Sequence, residues 1–409
     1  MAIDPHKYTD ADFALRLALF YAALFLTVGA QLPLLPVWLA AKGLDPRTIG
    51  IVLAVPMVVR VFAIPMAALL ADRRDALRAV IVIAAVASLA GFGVLALTER
   101  LIAIIVIFAI ASIAYTPLML LADAYALRGL AQWGRAYGRV RLWGSAAFIV
   151  ASFGAGYLLD LIEPHNLVWL IVATMGITAV ASWLLVPLHP HRVSPGAIAP
   201  SARWLLREPA FLAFAAAVSL IQASHAVYYG FSTIHWQAVG FDGVTIGMLW
   251  AIGVFAEIAL FALSIRLPVA ITPTMVVLIG AGGAVIRWSA MALDPPPIVL
   301  PAVQCLHALS FGATHLGTLA LVARVAAPAL ATTVQGYISV ALGLVMAAAM
   351  SFSGILYGRF GAAAYGAMTV AALAGGVLAL AAHRSVQPIT DKPDTSTPVR
   401  ARPETSSAD

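Results

Sequence analysis

The run of residues from Thr245 to Arg266 restricts the fold of this chain more than any other feature. About 20 apolar residues, rising about 1.5 Å each in a helix, cross the hydrocarbon layer of a bilayer, which is about 30 Å thick. The run has that length, yet it carries a carboxylate near its middle, Glu257. Because charge is costly in hydrocarbon, such groups usually face a bundle interior or a water-filled cavity. Glu257 is therefore a candidate proton or ligand site; the alternative is an acid that only fixes helix packing.

The composition agrees with a protein embedded in lipid. Of the 409 residues, 62% are hydrophobic and 10% are charged, as is typical of integral membrane proteins. Lipid offers no hydrogen-bond partners to backbone groups, so the apolar runs must be helices rather than open strands. They predict an all-α membrane protein with twelve transmembrane helices, near residues 13–41, 47–71, 76–97, 101–128, 137–160, 166–187, 209–238, 243–265, 268–292, 297–323, 328–357 and 361–383.

The positions of the basic residues predict the topology. With the N-terminus in the cytoplasm, 18 of the 24 Lys and Arg residues fall on the cytoplasmic side. The opposite side receives only Lys42, Arg47, Arg100 and Arg359. Cytoplasmic loops carry an excess of basic residues, so both termini are predicted to be cytoplasmic. The charge of +6 then requires no nucleic acid partner, and the single Cys305 allows neither a disulfide framework nor a cysteine metal site.

A polar segment divides the runs into six and six. Residues 188–207 are the predicted cytoplasmic linker between an N-terminal six-helix bundle, 1–187, and a C-terminal one, 208–384; residues 385–409 are predicted to be a disordered cytoplasmic tail. An internal sequence repeat supports this division. The same residues recur at the same spacing in two groups: Gly43, Asp45, Thr48, Ile49 and Gly50, and Gly240, Asp242, Thr245, Ile246 and Gly247. Parallel halves of this kind place a ligand near mid-membrane, between them.

Ionisable residues in the second half have depths that suit a proton relay. Counted from the predicted outer ends of their helices, His307, Glu257 and His315 lie about 15, 21 and 27 Å deep at about 1.5 Å per residue. The carboxylate thus falls between the two imidazoles. His307, Phe311 and His315 are spaced four apart on roughly one helix face. Each histidine can equally be a hydrogen-bonded packing residue.

Several motifs carry a resemblance to a known family. Six helices, a polar linker and six more helices resemble the major facilitator superfamily. Asp72 and Arg73, in DRRD at 72–75, look like its loop signature between helices 2 and 3, although Asp75 stands where the family has glycine. A closer resemblance, to the 3-phenylpropionic acid transporter branch, rests on YGRVRLWGSAAF at 137–148, YYGFSTIHWQAVG at 228–240, LWAIGVFAEIALF at 249–261 and QCLHALSFGATHLG at 304–317. It implies a monomeric transporter of the bacterial inner membrane, not an enzyme.

The resemblance also implies roles for individual residues. Asp123 and Arg141 resemble the acid and arginine that bind sugar in the lactose permease; they can pair, and Arg141 would bind a substrate carboxylate. The alternative is an interfacial arginine that snorkels, with Asp123 as its ordinary partner. The lactose permease group has an acid, an arginine and a histidine in its later helices. By this likeness the proton-coupling residues would be Glu257, Arg287, His307 and His315.

Aromatic residues and Arg60 complete the predicted substrate site. Tyr228, Tyr229 and Trp250 could stack on the ring of a phenyl-bearing acid, and Trp250 shares a helix face with Glu257 seven residues later. Tyr115, Trp236 and Trp288 are further candidates; for the last two, anchoring at the membrane interface is an equal alternative. Arg60, within helix 2, has the same ambiguity between binding and packing.

The predicted energy source is an ion gradient. A Walker A loop needs a lysine after glycine, but Lys7, Lys42 and Lys392 follow His, Ala and Asp. The hypothesis is proton symport of a small organic anion, such as an aromatic carboxylate, by alternating access and without a cofactor. A nucleoside or sugar proton symporter, or a drug or metabolite exporter, is the alternative within the fold. An enzyme lacks support because HExxH and GxSxG are absent, and a sensor that binds without transport is the remaining class.

Overall fold

The structure is a computed structural model and describes residues 9–73, 76–133, 137–188, 203–264, 266, 271–325 and 330–383. Across these residues the regular structure is helical, and eleven segments are long and apolar enough to cross a membrane. Ten of them correspond to the first ten predicted runs. The eleventh, Thr333–Ala382, covers the last two, so the count of twelve helices stays a prediction. Most of the predicted linker and the whole predicted tail lie outside the described residues.

Most helices within each half follow one another after short connections. In the first half they are α1 Asp10–Ala41, α2 Pro46–Arg73, α3 Leu77–Ala96, α4 Leu101–Tyr115, α5 Leu118–Trp133, α6 Tyr137–Leu159 and α7 Leu167–Trp183. In the second half they are α8 Pro209–Ala223, α9 Ala226–Ala238, α10 Gly243–Ser264, α11 Pro273–Ala292, α12 Leu300–Cys305, α13 Thr314–Val325, α14 Ala331–Phe360 and α15 Tyr365–His383. A π-helical turn, Ala308–Ala313, joins α12 to α13.

A glycine interrupts the longest apolar segment. As one helix, its 50 residues would extend about 75 Å at about 1.5 Å per residue, more than twice the hydrocarbon thickness. Instead α14 ends at Phe360, and Gly361 has a φ of 56°, a conformation that glycine adopts without steric cost. A 3₁₀ turn, Gly361–Ala364, then leads into α15. The two helices on either side therefore match the last two predicted runs.

Three predicted runs are not the continuous helices that the sequence suggested. The run 101–128 is broken at Thr116 and Pro117, where proline lacks the N–H that would continue the helix. The run 209–238 is broken at Ser224 and His225, and the run 297–323 contains the π-helical turn. Each of these runs still forms one membrane-crossing segment, with a local interruption that the prediction did not specify. Apolar length shows where a chain crosses lipid, but it does not report local backbone hydrogen bonding.

The two copies of the internal sequence repeat also share the same local structure. Each copy has a glycine with positive φ followed by an aspartate that caps the next helix: Gly43 (79°) with Asp45, and Gly240 (91°) with Asp242. The aspartate accepts a hydrogen bond from a backbone N–H three residues on, at 2.9 Å from Thr48 and 2.7 Å from Thr245. Hydrogen bonds from these threonines hold the pKa of both carboxyl groups below the ordinary value of 3.8.

Helix contacts are mostly confined within each half. In the first half α1 packs against α6 and α7, and α3 packs against α4 and α7. In the second, α15 packs against α8 and α11, and α14 packs against α8 and α9. The main contacts between halves are α2 with α14, α6 with α10, and α1 with α9. Three of these helices carry predicted site residues: α6 carries Arg141, α9 carries Tyr228 and Tyr229, and α10 carries Trp250 and Glu257.

Glycines let the two halves approach backbone to backbone. A Cβ atom on Gly50 would lie 2.7 Å from the carbonyl oxygen of Met350, and one on Gly247 would lie 2.9 Å from that of Phe153. A Cβ on Gly156 would overlap the carbonyl oxygen of Gly243, whose N–H donates to Asp160 at 2.8 Å. All these contacts lie near the loops at 42–45, 160–166 and 239–242, the predicted outer face. The halves are thus closed against each other at that face.

The α6 to α10 crossing yields a matched test. Gly156→Val should lower the free energy of unfolding by about 1–3 kcal/mol, because the added methyl groups have no space between two backbones. Gly154→Val is the control: it lies on the same helix, and a Cβ there meets no atom within 4 Å. Thermal unfolding of purified protein in detergent measures both. The control should stay within about 0.5 kcal/mol of the parent; equal losses would contradict the close crossing.

Candidate substrate and proton site

Arg287 is the centre of a buried hydrogen-bond network in the second half. Its side chain on α11 is fully buried, and its guanidinium donates to three neutral acceptors: Gln304 Oε1 at 2.7 Å, His307 Nδ1 at 2.9 Å and Ser310 Oγ at 3.2 Å. It also lies 4.5 Å above the ring of Tyr228. A buried cation needs such partners because desolvation of a charge is costly. None of the three direct acceptors carries a negative charge.

Glu257 lies on the far side of the His307 ring from Arg287. Since a guanidinium can only donate, Nδ1 of His307 must accept, and the ring proton is assigned to Nε2. Nε2 lies 3.5 Å from Glu257 Oε2. Arg287, a neutral imidazole and Glu257 thus form one chain. A proton could reach Glu257 over this separation after a small movement or through one water.

The π-helical turn shapes the second-half site. The rings of His307 and Phe311 stack at 5.3 Å, and those of Phe311 and His315 stack at 6.0 Å, as the spacing of four residues predicts. A Cβ added to Gly312 would lie 3.3 Å from Glu257 Cγ, so glycine lets the turn approach the acid. π-helical turns often occur at functional sites. Here the turn holds three rings in line beside the carboxylate.

The first-half site is a carboxylate held by tyrosines beside an arginine on an aromatic ring. Asp123 Oδ1 accepts hydrogen bonds from the hydroxyl groups of Tyr21, at 2.6 Å, and Tyr137, at 2.8 Å. The Arg141 guanidinium lies 3.9 Å from the ring centre of Phe25. In the described chain no ion pair joins Asp123 to Arg141, so the expected pairing is not formed. The two tyrosines thus provide the hydrogen bonds to Asp123, and Arg141 has no carboxylate partner in the described chain.

The two halves bring their charged residues together. Arg141 is close enough to Glu257 and to His315 for their charges to interact, and Asp123 interacts in the same way with His315. The side chain of His315 is exposed, and that of Glu257 is 17% exposed. The predicted substrate pair and the predicted proton residues, which lie far apart in sequence, therefore share one region between the halves.

Most of the predicted ring pocket is buried core. Tyr228 is 2% exposed and Trp250 is 3% exposed, with their ring centres 4.5 Å apart. Tyr229 is half-buried and stacks on Trp250 at 6.4 Å, so it is the member that a ligand can reach. Trp236 and Trp288 are 2% and 0% exposed, which rules out the interface-anchor alternative for both. Tyr115 packs on Phe92, within the first half.

Other predicted residues lie apart from this region. Arg60 is half-buried on α2, where its Cδ would lie 3.8 Å from a Cβ on Gly343 of α14, and the structure does not bring it to the Glu257 cluster. Asp72 and Arg73 end α2, but their side chains, and residues 74 and 75 of the loop motif, are outside the described part. Among the described residues no group of His, Cys, Asp or Glu could hold a metal ion.

Sequence reasoning missed two members of the network. Gln304 and Ser310 bind Arg287. A signal for both was present, since they lie three residues before and after His307 and share its face in a helix. The partners of Asp123 gave no such signal, because Tyr21 lies 102 residues away.

Comparisons with known proteins assign the chain to a family of transporters. The family model described as MFS_1 like family matches residues 14–366. The chain belongs to the MFS_1-like family. This family consists of transporters of the major facilitator superfamily, so the protein is a multi-pass membrane transporter and not an enzyme. The family expected from the sequence motifs is confirmed.

Relatives within and around the MFS_1-like family differ in their ligands. The chain is 33% identical to the probable 3-phenylpropionic acid transporter of Escherichia coli (strain K12), over 87% of this chain and 94% of that protein. It is 29% identical to maltose permease of Geobacillus stearothermophilus, over 68% and 71% of the two chains.

Solved structures share the fold of this MFS_1-like protein. A mutant of the nucleoside transporter NupG aligns with a TM-score of 0.79 and 18% identity, over 91% of this chain and 99% of that chain. A D-xylose-proton symporter aligns with a TM-score of 0.69 and 13% identity, over 92% and 98% of the two chains. At these identities the likeness shows the fold alone.

A double-mutant cycle tests the link between Arg287 and Glu257. Arg287→Gln or Glu257→Gln alone leaves the other charge buried without its opposite, whereas the double variant removes both charges. The double variant should therefore lose less free energy of unfolding than the sum of the single losses, by about 0.5–3 kcal/mol. Denaturant unfolding in detergent measures the cycle. Arg287→Gln combined with Glu99→Gln, which alters an exposed acid, should be additive. Additivity with Glu257→Gln would contradict the charge link.

Proposed function

We propose that the protein is a proton symporter of a small organic anion, such as an aromatic carboxylate resembling 3-phenylpropionate. It works by alternating access of two six-helix bundles, with twelve membrane crossings, both termini in the cytoplasm and no cofactor other than the proton gradient. The membrane is the bacterial inner membrane, and the working unit is the monomer. The basic loops, the polar linker and the break at Gly361 support this architecture.

One observation carries the proposal: Glu257, in a spanning helix, lies 3.5 Å from His307 and within charge interaction of Arg141. Arg141 has no carboxylate partner in the described chain, so its guanidinium can bind both oxygens of a substrate carboxylate. The half-buried Tyr229 offers a ring against which an aromatic substrate can stack. The likeness to a probable 3-phenylpropionic acid transporter supports this substrate class.

Substrate and proton are coupled through charge. Without substrate, Arg141 is a cation that an ionised Glu257 can balance. A bound substrate carboxylate cancels that charge, and one attraction that keeps Glu257 ionised is lost. Proton and anion therefore bind together. The loaded site gains no net charge, which lowers the cost of moving it through the apolar part of the protein.

Glu257→Gln should uncouple transport from the proton. In proteoliposomes the parent should concentrate radiolabelled 3-phenylpropionate when a pH gradient is imposed. The variant should still exchange internal for external substrate but should accumulate none, because its amide cannot release a proton. Glu99→Gln, at an exposed acid, is the control and should accumulate normally. Accumulation by the parent that ignores the pH gradient would end the coupling proposal.

Arg141→Gln should weaken binding of the anionic substrate by at least about tenfold, since loss of a charge-assisted pair costs about 1.5–3 kcal/mol. The matched control is Arg139→Gln, which removes an exposed arginine from the same helix. Isothermal titration of 3-phenylpropionate and of its uncharged amide measures the effect. The variant should lose its preference for the acid over the amide. A preference equal to that of the control would show that another group binds the carboxylate.

A nucleoside or sugar is the second candidate substrate. The maltose permease relative supports it, and so does the Asp123 carboxylate, which can accept hydrogen bonds from ligand hydroxyl groups. The two candidates differ in charge. Thermal stabilisation by a panel of aromatic acids, nucleosides and sugars separates them, because a ligand that binds the folded state raises the unfolding temperature.

A further inference from the structure

The helix break at Ser224 and His225 is built by side chains rather than by proline. Residues 210–238 contain no proline, and α8 ends at Ala223 while α9 begins at Ala226. Ser224 Oγ donates to the carbonyl of Ile221 at 2.6 Å, and His225 Nδ1 donates to that of Gln222 at 2.9 Å. Side chains that take over helix carbonyls in this way bend or interrupt a helix. The side chains of Ser224 and His225 thus stabilise the break.

Two hydrogen bonds join the break to the π-helical turn. His225 Nε2 accepts from Ser310 Oγ at 3.1 Å, since Nδ1 already holds the ring proton. Gln222 Nε2 donates to the carbonyl of Phe311 at 3.4 Å. Ser310 in turn accepts from Arg287, at 3.2 Å. A continuous series of hydrogen bonds therefore runs from the break through Ser310 and Arg287 to His307. Glu257 Oε2 lies 3.5 Å beyond it, from His307 Nε2.

The surroundings of His225 are closely packed. Its side chain is 0% exposed, and its ring centre lies 4.9 Å from that of Trp288, 5.5 Å from Tyr229 and 5.6 Å from His307. The charged and titratable groups facing it from neighbouring elements are Arg287 of α11, His307 before the π-helical turn, and Tyr229 of α9. His225 thus contacts the surroundings of Arg287 and His307 within the protein interior.

The helix beyond the break touches the other half. α9 packs against α1 of the first half as well as against α14 of its own half, whereas α8 packs mainly against α14 and α15. A change of angle between α8 and α9 would therefore move a surface that contacts the first half. Hinges of this kind are short segments that absorb changes of backbone angle.

We propose that His225 is a positioning residue that links the charge state of Glu257 to the angle between α8 and α9. When Glu257 gains or loses its proton, the change in attraction on His307 and Arg287 shifts Ser310, and His225 carries the shift to the break. α9 then moves against α1. The inference rests on the proposed function in taking Glu257 as the group whose charge changes. It goes further by naming the element that responds.

Distance measurements between spin labels test this link directly. Labels at Ala41→Cys and Val239→Cys, in a Cys305→Ser background, report on the ends of α1 and α9. In the otherwise unsubstituted protein, the label distance should change between about pH 8 and about pH 5. His225→Phe keeps a ring but removes both hydrogen bonds, and it should abolish the change, as Glu257→Gln should. His225→Gln, which can both donate and accept, should restore it.

Control variants distinguish loss of the proposed link through His225 from general loss of structure. Ser219→Ala removes a buried hydroxyl from α8 that has no hydrogen-bond partner, and it should leave the distance change intact. If His225→Phe does not fold, Ser310→Ala breaks the same series from the other side. His225→Phe should also lower net uptake of 3-phenylpropionate about tenfold while its affinity stays within about threefold.

Three results would overturn the inference: no pH-linked change in the unsubstituted protein, a change that survives His225→Phe, or a change that survives Glu257→Gln. Failure of the proposed function looks different. If 3-phenylpropionate uptake ignores the pH gradient, proton symport fails, while the spin labels still report whether His225 links the acid to α9.

Discussion

The second half of the protein is organised around a guanidinium that has no carboxylate of its own. Arg287 is enclosed by protein, and its direct partners are an amide, a hydroxyl and an imidazole. A charge in such surroundings is costly, and hydrogen-bond acceptors for its donors lower that cost. This need for acceptors fixes the tautomer of His307, and through it the position at which Glu257 can share a proton. The π-helical turn, the stacked rings and the break before α9 are all arranged around that cation.

Close backbone contact between the halves is the second constraint. Within lipid no hydrophobic driving force brings helices together, so membrane proteins use small residues that let helix backbones pack closely. Here glycines at 50, 156, 243 and 247 provide the approach, and they lie near one face only. The charged region is farther along the same helices, since Glu257 lies ten residues beyond Gly247. α10 thus carries both Gly247, which packs against the first half, and Glu257, which is proposed to titrate.

Much of the fold could be predicted from the sequence, because crossing lipid imposes length and apolarity on each helix. The repeated turn at Gly43 and Gly240 was visible because positive φ and helix capping restrict the residues allowed. The breaks within spans were not visible, since Ser224 and His225 are unremarkable without the carbonyl groups that they bind.

The candidate site was likewise predictable only in part. The face shared by His307, Phe311 and His315 followed from spacing. The separation of Asp123 from Arg141 did not, because the tyrosines that hold the acid come from other helices. The burial of Trp250 and Tyr228 was also hidden, since aromatic residues suit a core and a ligand pocket equally well.

The π-helical turn has a geometric consequence for everything after it. Such a turn contains one residue more than an α-helical turn, and each residue of an α-helix corresponds to a rotation of about 100°. Were Ala308–Ala313 to tighten into an ordinary α-helix, α13 would rotate by about that angle relative to α12. The His315 imidazole would then leave the column of rings and point to a different neighbour. The extra residue in this turn thus determines the direction in which His315 points.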